Sequence, residues 1–148
     1  MLVIVQSVVY TRLGPVSILI DNGVAIEIAL GRIFDAPLKD VQPFKGVLED
    51  YFVGKTKRVD FPVRLRGTDF QKKVWEEVRK IPYGEVRTYG WIAKIVGTSP
   101  RAVGMAMRSN HLPIYVPCHR VVSKGSLGGF SSGFEWKVFL LELEGVLI

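Results

Sequence analysis

Along the first third of the chain, apolar positions alternate with polar ones or run together as a β-sheet requires. Leu2 to Val9, Val16 to Ile20 and Val24 to Leu30 read as three strands. Asp21-Asn22-Gly23 between the last two reads as a hairpin turn, because both central positions of such a turn favour φ > 0. Pro37 and Pro43 break the chain. Phe44, Val47, Leu48, Tyr51 and Phe52 then recur at helical spacing, and Gly54 is a natural stop. Residues 55–67 read as a connector punctuated by Pro62 and Gly67. The pattern therefore predicts a β-rich domain over 1–66 and a second domain over 67–148.

From Thr68 the period changes to that of helices. Thr68-Asp69-Phe70-Gln71 is a capping box, and Phe70, Val74, Val78 and Ile81 form one apolar face that Pro82 ends. Tyr83-Gly84-Glu85 is a turn. Thr88 is placed to cap a helix carrying Tyr89, Ile92, Ala93 and Val96, with Gly97 as its stop. Ser99 caps the next, which opens on Pro100 and runs to about Ser109. Two short helices joined by Gly97-Thr98-Ser99 make a helix-turn-helix. In the second helix Val103, Ala106 and Met107 suit a core, whereas Arg101, Met105 and Arg108 share the opposite face. Gly104 costs about 1 kcal/mol of helix propensity, so either a neighbouring helix or a nucleic-acid groove approaches its backbone closely. His111 to Val116 reads as a strand leading into Pro117-Cys118-His119-Arg120.

Composition narrows the function class. The 148 residues are 48% apolar and 23% charged, which excludes a disordered or fibrous chain. Apolar stretches such as Val24 to Leu30 are far shorter than the ~20 residues of a membrane span. The start, Met1 to Gln6, lacks a basic leader region, so the expectation is a cytoplasmic protein without a signal peptide. Net charge is +6, and all of it lies between Glu85 and Glu135, where Arg87, Lys94, Arg101, Arg108, Arg120 and Lys124 meet no acidic residue. Basic residues spread through an apolar, Gly-rich stretch point to a nucleic-acid footprint, with Arg87, Lys94, Arg108 and Lys124 meeting phosphates. One cysteine and two histidines, His111 and His119, are too few for a zinc cage, so no metal is expected.

Cys118 is either a buried hydrophobe or a reactive thiol. A proline that bends the chain, an adjacent imidazole and then a guanidinium form a setting that lowers a thiol pKa. In a regular strand Cys118 and His119 would point to opposite faces, so direct pairing needs a tight turn or a bridging water. Here the chain resembles the O6-alkylguanine-DNA alkyltransferases, the methylated-DNA–protein-cysteine methyltransferase family. Pro-Cys-His-Arg-Val at 117–121 is similar to its active-site signature. Arg101-Ala102-Val103-Gly104 followed by Asn110 is similar to its recognition helix, and Gly128-Gly129-Phe130-Ser131 and Glu144-Gly145 follow in order.

The resemblance implies an α+β fold: a small N-terminal β-sheet with a helix, ribonuclease H-like, followed by a mainly helical DNA-binding domain. It implies stoichiometric, irreversible repair of O6-alkylguanine, and of O4-alkylthymine, in double-stranded DNA by base flipping, with no cofactor, no membrane and no protein partner. Cys118 would be the nucleophile, His119 its base through a water, Glu144 the group orienting the imidazole, and Asn110 a brace for the turn. Tyr89 would act at the target phosphate or the leaving guanine. Arg101 would replace the flipped base, in a minor groove that the small residues Ala102 and Gly104 admit, with Thr88, Lys94, Ser99 and Arg108 also on DNA. The pocket would use backbone groups at Cys118 and Val121, the Ser131 hydroxyl, and Met107, Pro113, Gly128 and Phe130. Phe130 departs from the tyrosine of many relatives and removes a hydroxyl from that pocket.

Other readings of single residues stay open at this level. Periodicity alone makes Tyr89 a core aromatic, Glu144 suits a solvated helix end, Asn110 suits a helix C-cap, and His111 has no assigned role. Three other functions compete. A non-catalytic damage sensor carries tryptophan at the cysteine position, a helix-turn-helix regulator would read the major groove and ignore Cys118, and a cysteine hydrolase needs better geometry than an adjacent Cys-His pair.

Overall fold

Alternating apolar residues commit the N-terminal segment to an antiparallel meander. A computed structural model describes residues 4–147, and the chain divides into two compact units, one ending at Leu65 and the other beginning at Arg66. In the first, strands β1 (Ile4–Thr11), β2 (Gly14–Asp21) and β3 (Val24–Leu30) pair in sequence order. The part of the first expected strand at Leu2 and Val3 lies outside the described residues. Asn22 and Gly23 take φ of 51° and 83°, the left-handed pair that a tight hairpin requires. A register shift between Leu19 and Ile20, just before that turn, adds a bulge to the β2–β3 pairing. Helix α1 (Phe44–Phe52) packs on the sheet through Phe44, Leu48 and Tyr51.

Two consecutive polar residues on β1, Gln6 and Ser7, are buried on opposite faces of the strand, and each has a task. Gln6 Nε2 donates to the carbonyls of Phe34 (2.6 Å) and Ala36 (2.7 Å) while its Oε1 accepts from the Phe34 amide. Ser7 Oγ donates to the Lys39 carbonyl and accepts from the Val41 amide. Together they hold the proline-punctuated segment 34–41 against the sheet and leave few buried polar groups unpaired.

The second unit begins with the capping box expected at Thr68: its Oγ1 accepts from the Gln71 amide (3.1 Å) while Gln71 Oε1 accepts from the Thr68 amide (2.9 Å). Helix α2 (Asp69–Arg79) buries Val74, Trp75 and Val78. Phe70, expected on the buried face, is 39% exposed. Its place is taken by Trp75, whose indole N–H donates to the Ala106 carbonyl (2.8 Å). That bond satisfies a buried polar group and fixes the end of another helix.

The helix pair forms as the caps dictate. Helix α3 (Tyr89–Val96) is capped by Thr88 and ends on Gly97 at φ 81°; helix α4 (Pro100–Arg108) is capped by Ser99. Val103, Ala106 and Met107 are buried on α4, and Arg101, Met105 and Arg108 are exposed. Residues 111–116 depart from expectation and form no strand. Pro113 cannot donate to a ladder and Ile114 takes φ 75°, so the segment turns back on itself through a bridge between Pro113 and Val116. A single 3₁₀ turn, Cys118–Arg120, leads into β5 (Val121–Val122), which pairs in parallel with β4 (Arg87–Thr88). Helix α5 (Phe134–Leu143) follows and packs on the 3₁₀ turn. Among the described residues no helix is long and apolar enough to cross a membrane.

Candidate active site

The tight turn that the adjacent Cys-His pair needs is present. Pro117 caps the 3₁₀ turn, the Cys118 amide donates to the Val116 carbonyl (2.7 Å), and the Arg120 amide donates to Pro117 (2.9 Å). Asn110 braces the loop from both ends. Its amide Nδ2 donates to the Val116 carbonyl (3.0 Å) and toward Cys118 Sγ (3.1 Å), and its Oδ1 accepts from the Leu112 amide (3.0 Å). Ser109, not Asn110, is the C-cap of α4; Asn110 stands one residue beyond it, its own amide donating to the Met107 carbonyl (3.1 Å).

The thiol's resting state differs from expectation. Cys118 is buried, and that burial pushes its pKa up to about 11, with the Asn110 amide and the Lys137 ammonium opposing. Desolvation of a thiolate outweighs the neighbouring donors, so the thiol rests protonated and needs a base. The guanidinium of Arg120, expected to assist, is engaged elsewhere.

That engagement builds the base. Glu144 is buried and accepts from His119 Nε2 (2.7 Å), Arg120 Nε (2.8 Å) and Nη2 (3.0 Å), and the Gly84 amide (3.2 Å). Arg120 Nη1 donates to the Ile81 carbonyl (2.7 Å). Burial alone would raise the Glu144 pKa, but the hydrogen bonds from His119 and Arg120 outweigh it and hold the carboxyl far below the usual range. An ionised carboxylate only accepts, so His119 carries its proton on Nε2 and presents a lone pair at Nδ1. Burial lowers the His119 pKa, which keeps the ring neutral at pH 7, and Nδ1 is a buried acceptor without a partner among the described residues. A neutral imidazole with a free, oriented lone pair is a general base.

Cys118 opens into a cleft of about 810 Å³ that lies wholly within the second unit. Pro100, Arg101, Gly104, Met107 and Arg108 line it from α4; Thr88, Tyr89 and Gly90 line it from the start of α3; Gly129, Phe130 and Ser131 close it. The β4–β5 pair carries Thr88 beside Val122, which brings Tyr89 to the cysteine. Tyr89 is half-buried at this wall, not a core aromatic, and burial, then Cys118 when its thiol ionises, push its phenol pKa up, so it stays protonated. Gly128 takes φ 76°, and a Cβ there would stand 3.2 Å from the Tyr89 ring and 3.0 Å from Ser123 Oγ.

Several expected positions fall elsewhere. Pro113 and Val121 are buried and, like Gly128, do not line the cleft; Ser123 and Lys124, not foreseen as pocket residues, do. Arg120 leaves the basic footprint, being buried on Glu144. The hydroxyls of Thr88 and Ser99 accept from Trp91 and Ala102 amides as helix caps. Lys94, Arg101 and Arg108 are exposed, whereas Arg87 is half-buried, paired with Glu85 (2.9 Å) and set over the Trp91 ring.

This assembly has known relatives. Residues 69–146, more than half of the chain, match the family described as 6-O-methylguanine DNA methyltransferase, DNA binding domain. A Metallosphaera sedula protein named methylated-DNA–protein-cysteine methyltransferase is 44% identical over 139 residues, 91% of this chain and 89% of the relative. The chain belongs to the 6-O-methylguanine DNA methyltransferase family. Among solved structures, the O6-methylguanine methyltransferase of Mycobacterium tuberculosis is similar at a TM-score of 0.82 and 35% identity, covering 97% of this chain and 93% of that one. A second structure of the M. tuberculosis protein, in complex with DNA, is similar at 0.82 and 36%, covering 94% and 91%. The homologous enzyme of Pyrococcus kodakaraensis is similar at 0.78 and 35%, covering 99% and 100%. Membership in the methyltransferase family excludes the regulator and hydrolase readings, and the cysteine at 118 argues against a non-catalytic sensor.

Proposed function

We propose that the chain repairs O6-alkylguanine in double-stranded DNA by taking the alkyl group, once and irreversibly, onto Cys118. The observation that carries this is the chain of contacts from Asn110 through Cys118 and His119 to Glu144 at the floor of a cleft walled by the helix-turn-helix. His119 Nδ1, through a water, takes the thiol proton. The thiolate attacks the alkyl carbon, an S–C bond forms, and the C–O6 bond breaks with its electron pair going to the guanine. The Tyr89 hydroxyl gives the departing guanine a proton and recovers one, through solvent, from His119. The net change is alkyl to sulfur and proton to guanine, so the balance needs no metal or cofactor. A thioether has no leaving group that His119 and water can expel, so one event consumes the protein.

The guanine reaches a cleft this deep only by leaving the base stack, at a cost of a few kcal/mol. Arg101, exposed at the first turn of α4 and on the cleft rim, is the side chain placed to fill the gap. Ala102 and Gly104 keep the groove-facing surface of α4 low, and Lys94, Arg108 and Lys124 meet phosphates. DNA is an intracellular substrate, and reducing conditions there keep a lone cysteine free.

This reading predicts that Arg101→Ala slows repair of an alkylated duplex by about 10- to 100-fold, the equivalent of losing ~1.4–2.8 kcal/mol of flipping support. Alkylation of Cys118 by a free alkylguanine base, which needs no flipping, should stay close to the unaltered rate. Equal loss on both substrates would assign Arg101 to the fold instead.

A further inference from the structure

Lys137 is the buried charge that the transfer described above does not use. It lies on α5 with no solvent exposure, yet no carboxylate among the described residues pairs with it. Its Nζ donates to the Val121 carbonyl (2.7 Å) and the Gly129 carbonyl (3.0 Å), and stands 5.9 Å from the centre of the Tyr89 ring. Val121 directly follows the cysteine turn, and Gly129 begins the wall that carries Phe130 and Ser131. A lysine is costly to bury, and two carbonyls alone do not offset an ammonium; the Tyr89 ring of α3 stands near it, and its charge acts on Cys118 and His119 of the 3₁₀ turn, whose outgoing strand its Val121 bond holds.

We infer that Lys137 is a positioning residue: it ties the cleft wall at Gly129 to the strand leaving the cysteine turn, and holds a positive charge where the thiolate of Cys118 develops. Positive charge fixed in place before reaction stabilises a developing anion with no reorganisation at that moment. The burial that lowers the Lys137 pKa to about 8, opposed by Cys118, fits a cation whose partner is the sulfur and appears only during reaction.

The inference rests on the reading of Cys118 as the acceptor, so its test reads the thiol itself. Cys118 is the chain's one cysteine, and labelling by iodoacetamide as a function of pH reports its ionisation whether or not the protein repairs DNA. Lys137→Met removes charge and donors, Lys137→Gln keeps donors without charge, and Lys137→Arg keeps both. Both neutral variants should label about tenfold more slowly at pH 7, with the profile displaced upward by about one unit, while arginine retains most of the rate. In the unaltered protein the profile should rise in two ionisations, since the thiol and the ammonium titrate as a pair. A glutamine variant with the unaltered rate and profile would overturn the inference. So would a single ionisation in the unaltered protein, an arm that holds even if no variant folds.

Discussion

Cys118→Ser is expected to abolish alkyl transfer, to below about one part in a thousand of the unaltered rate, while duplex DNA binding is retained. The substitution replaces sulfur by a smaller oxygen and leaves α4 and its exposed arginines untouched. The Asn110 amide that points at Sγ finds a hydroxyl acceptor in its place, so the brace on the loop survives. What is lost is nucleophilicity. The buried thiol already needs His119 to ionise, and a serine hydroxyl is a far weaker acid that a neutral imidazole in this setting cannot deprotonate usefully. Transfer followed by mass, and affinity followed on unmodified duplex, separate the two effects. Parallel loss of both would mean that Cys118 supports the fold.

Glu144→Ala should be the most destabilising single change in the site, by roughly 3–5 kcal/mol, because it breaks a buried ion pair and leaves Arg120 charged and buried without its partner. Thermal unfolding reads that directly. Transfer by the folded fraction should also slow by at least about tenfold, since the imidazole loses the acceptor that sets its tautomer. The pH dependence adds a signature. The folded Glu144 pKa is depressed, so its contribution is complete above the ordinary carboxylate value near ~4.3 and is lost as pH falls through the lower folded value. The His119 pKa is also depressed, and its contribution, complete above about pH 6.5, is lost as pH falls through the folded value. Both act in one direction, so the unaltered protein weakens in acid, and Glu144→Ala should lose the lower part of that dependence. An alanine variant as stable as the unaltered protein, with the same acid profile, would remove Glu144 from the centre of the site.

What was legible in the chain is what local chemistry decides. The hairpin at Asn22-Gly23, the capping box at Thr68 and Gln71, and the stops and caps at Gly97, Ser99 and Pro100 each act within a few residues, and the structure has them where the pattern placed them. Ordered motifs around Cys118 identified the family. Legibility failed where distant segments meet. Arg120 read as part of the basic footprint, and Lys137 drew no reading, because nothing near them in sequence says that Glu144, 24 residues on from Arg120, or the carbonyls of Val121 and Gly129 will satisfy them. The thiol was expected to be acidified by its sequence neighbours, yet burial from the surrounding fold decides its state. Apolar residues at 111–116 suggested a strand, but Pro113 and the Asn110 side chain turn that run into a loop. Pocket membership went astray for the same reason: Pro113 and Val121 pack inward, while the register of β4 on β5 carries the chain past Val122 to Ser123 and Lys124 at the cleft.

Intact mass after mixing the protein with excess O6-methylguanine duplex tests the central claim most directly. One methyl group per molecule, about 14 Da by mass, located on Cys118 by peptide mapping, with no further O6-methylguanine in the duplex restored to guanine once every molecule is modified, is the predicted result. Continued turnover without a mass change, or methyl found on any other residue, would contradict it.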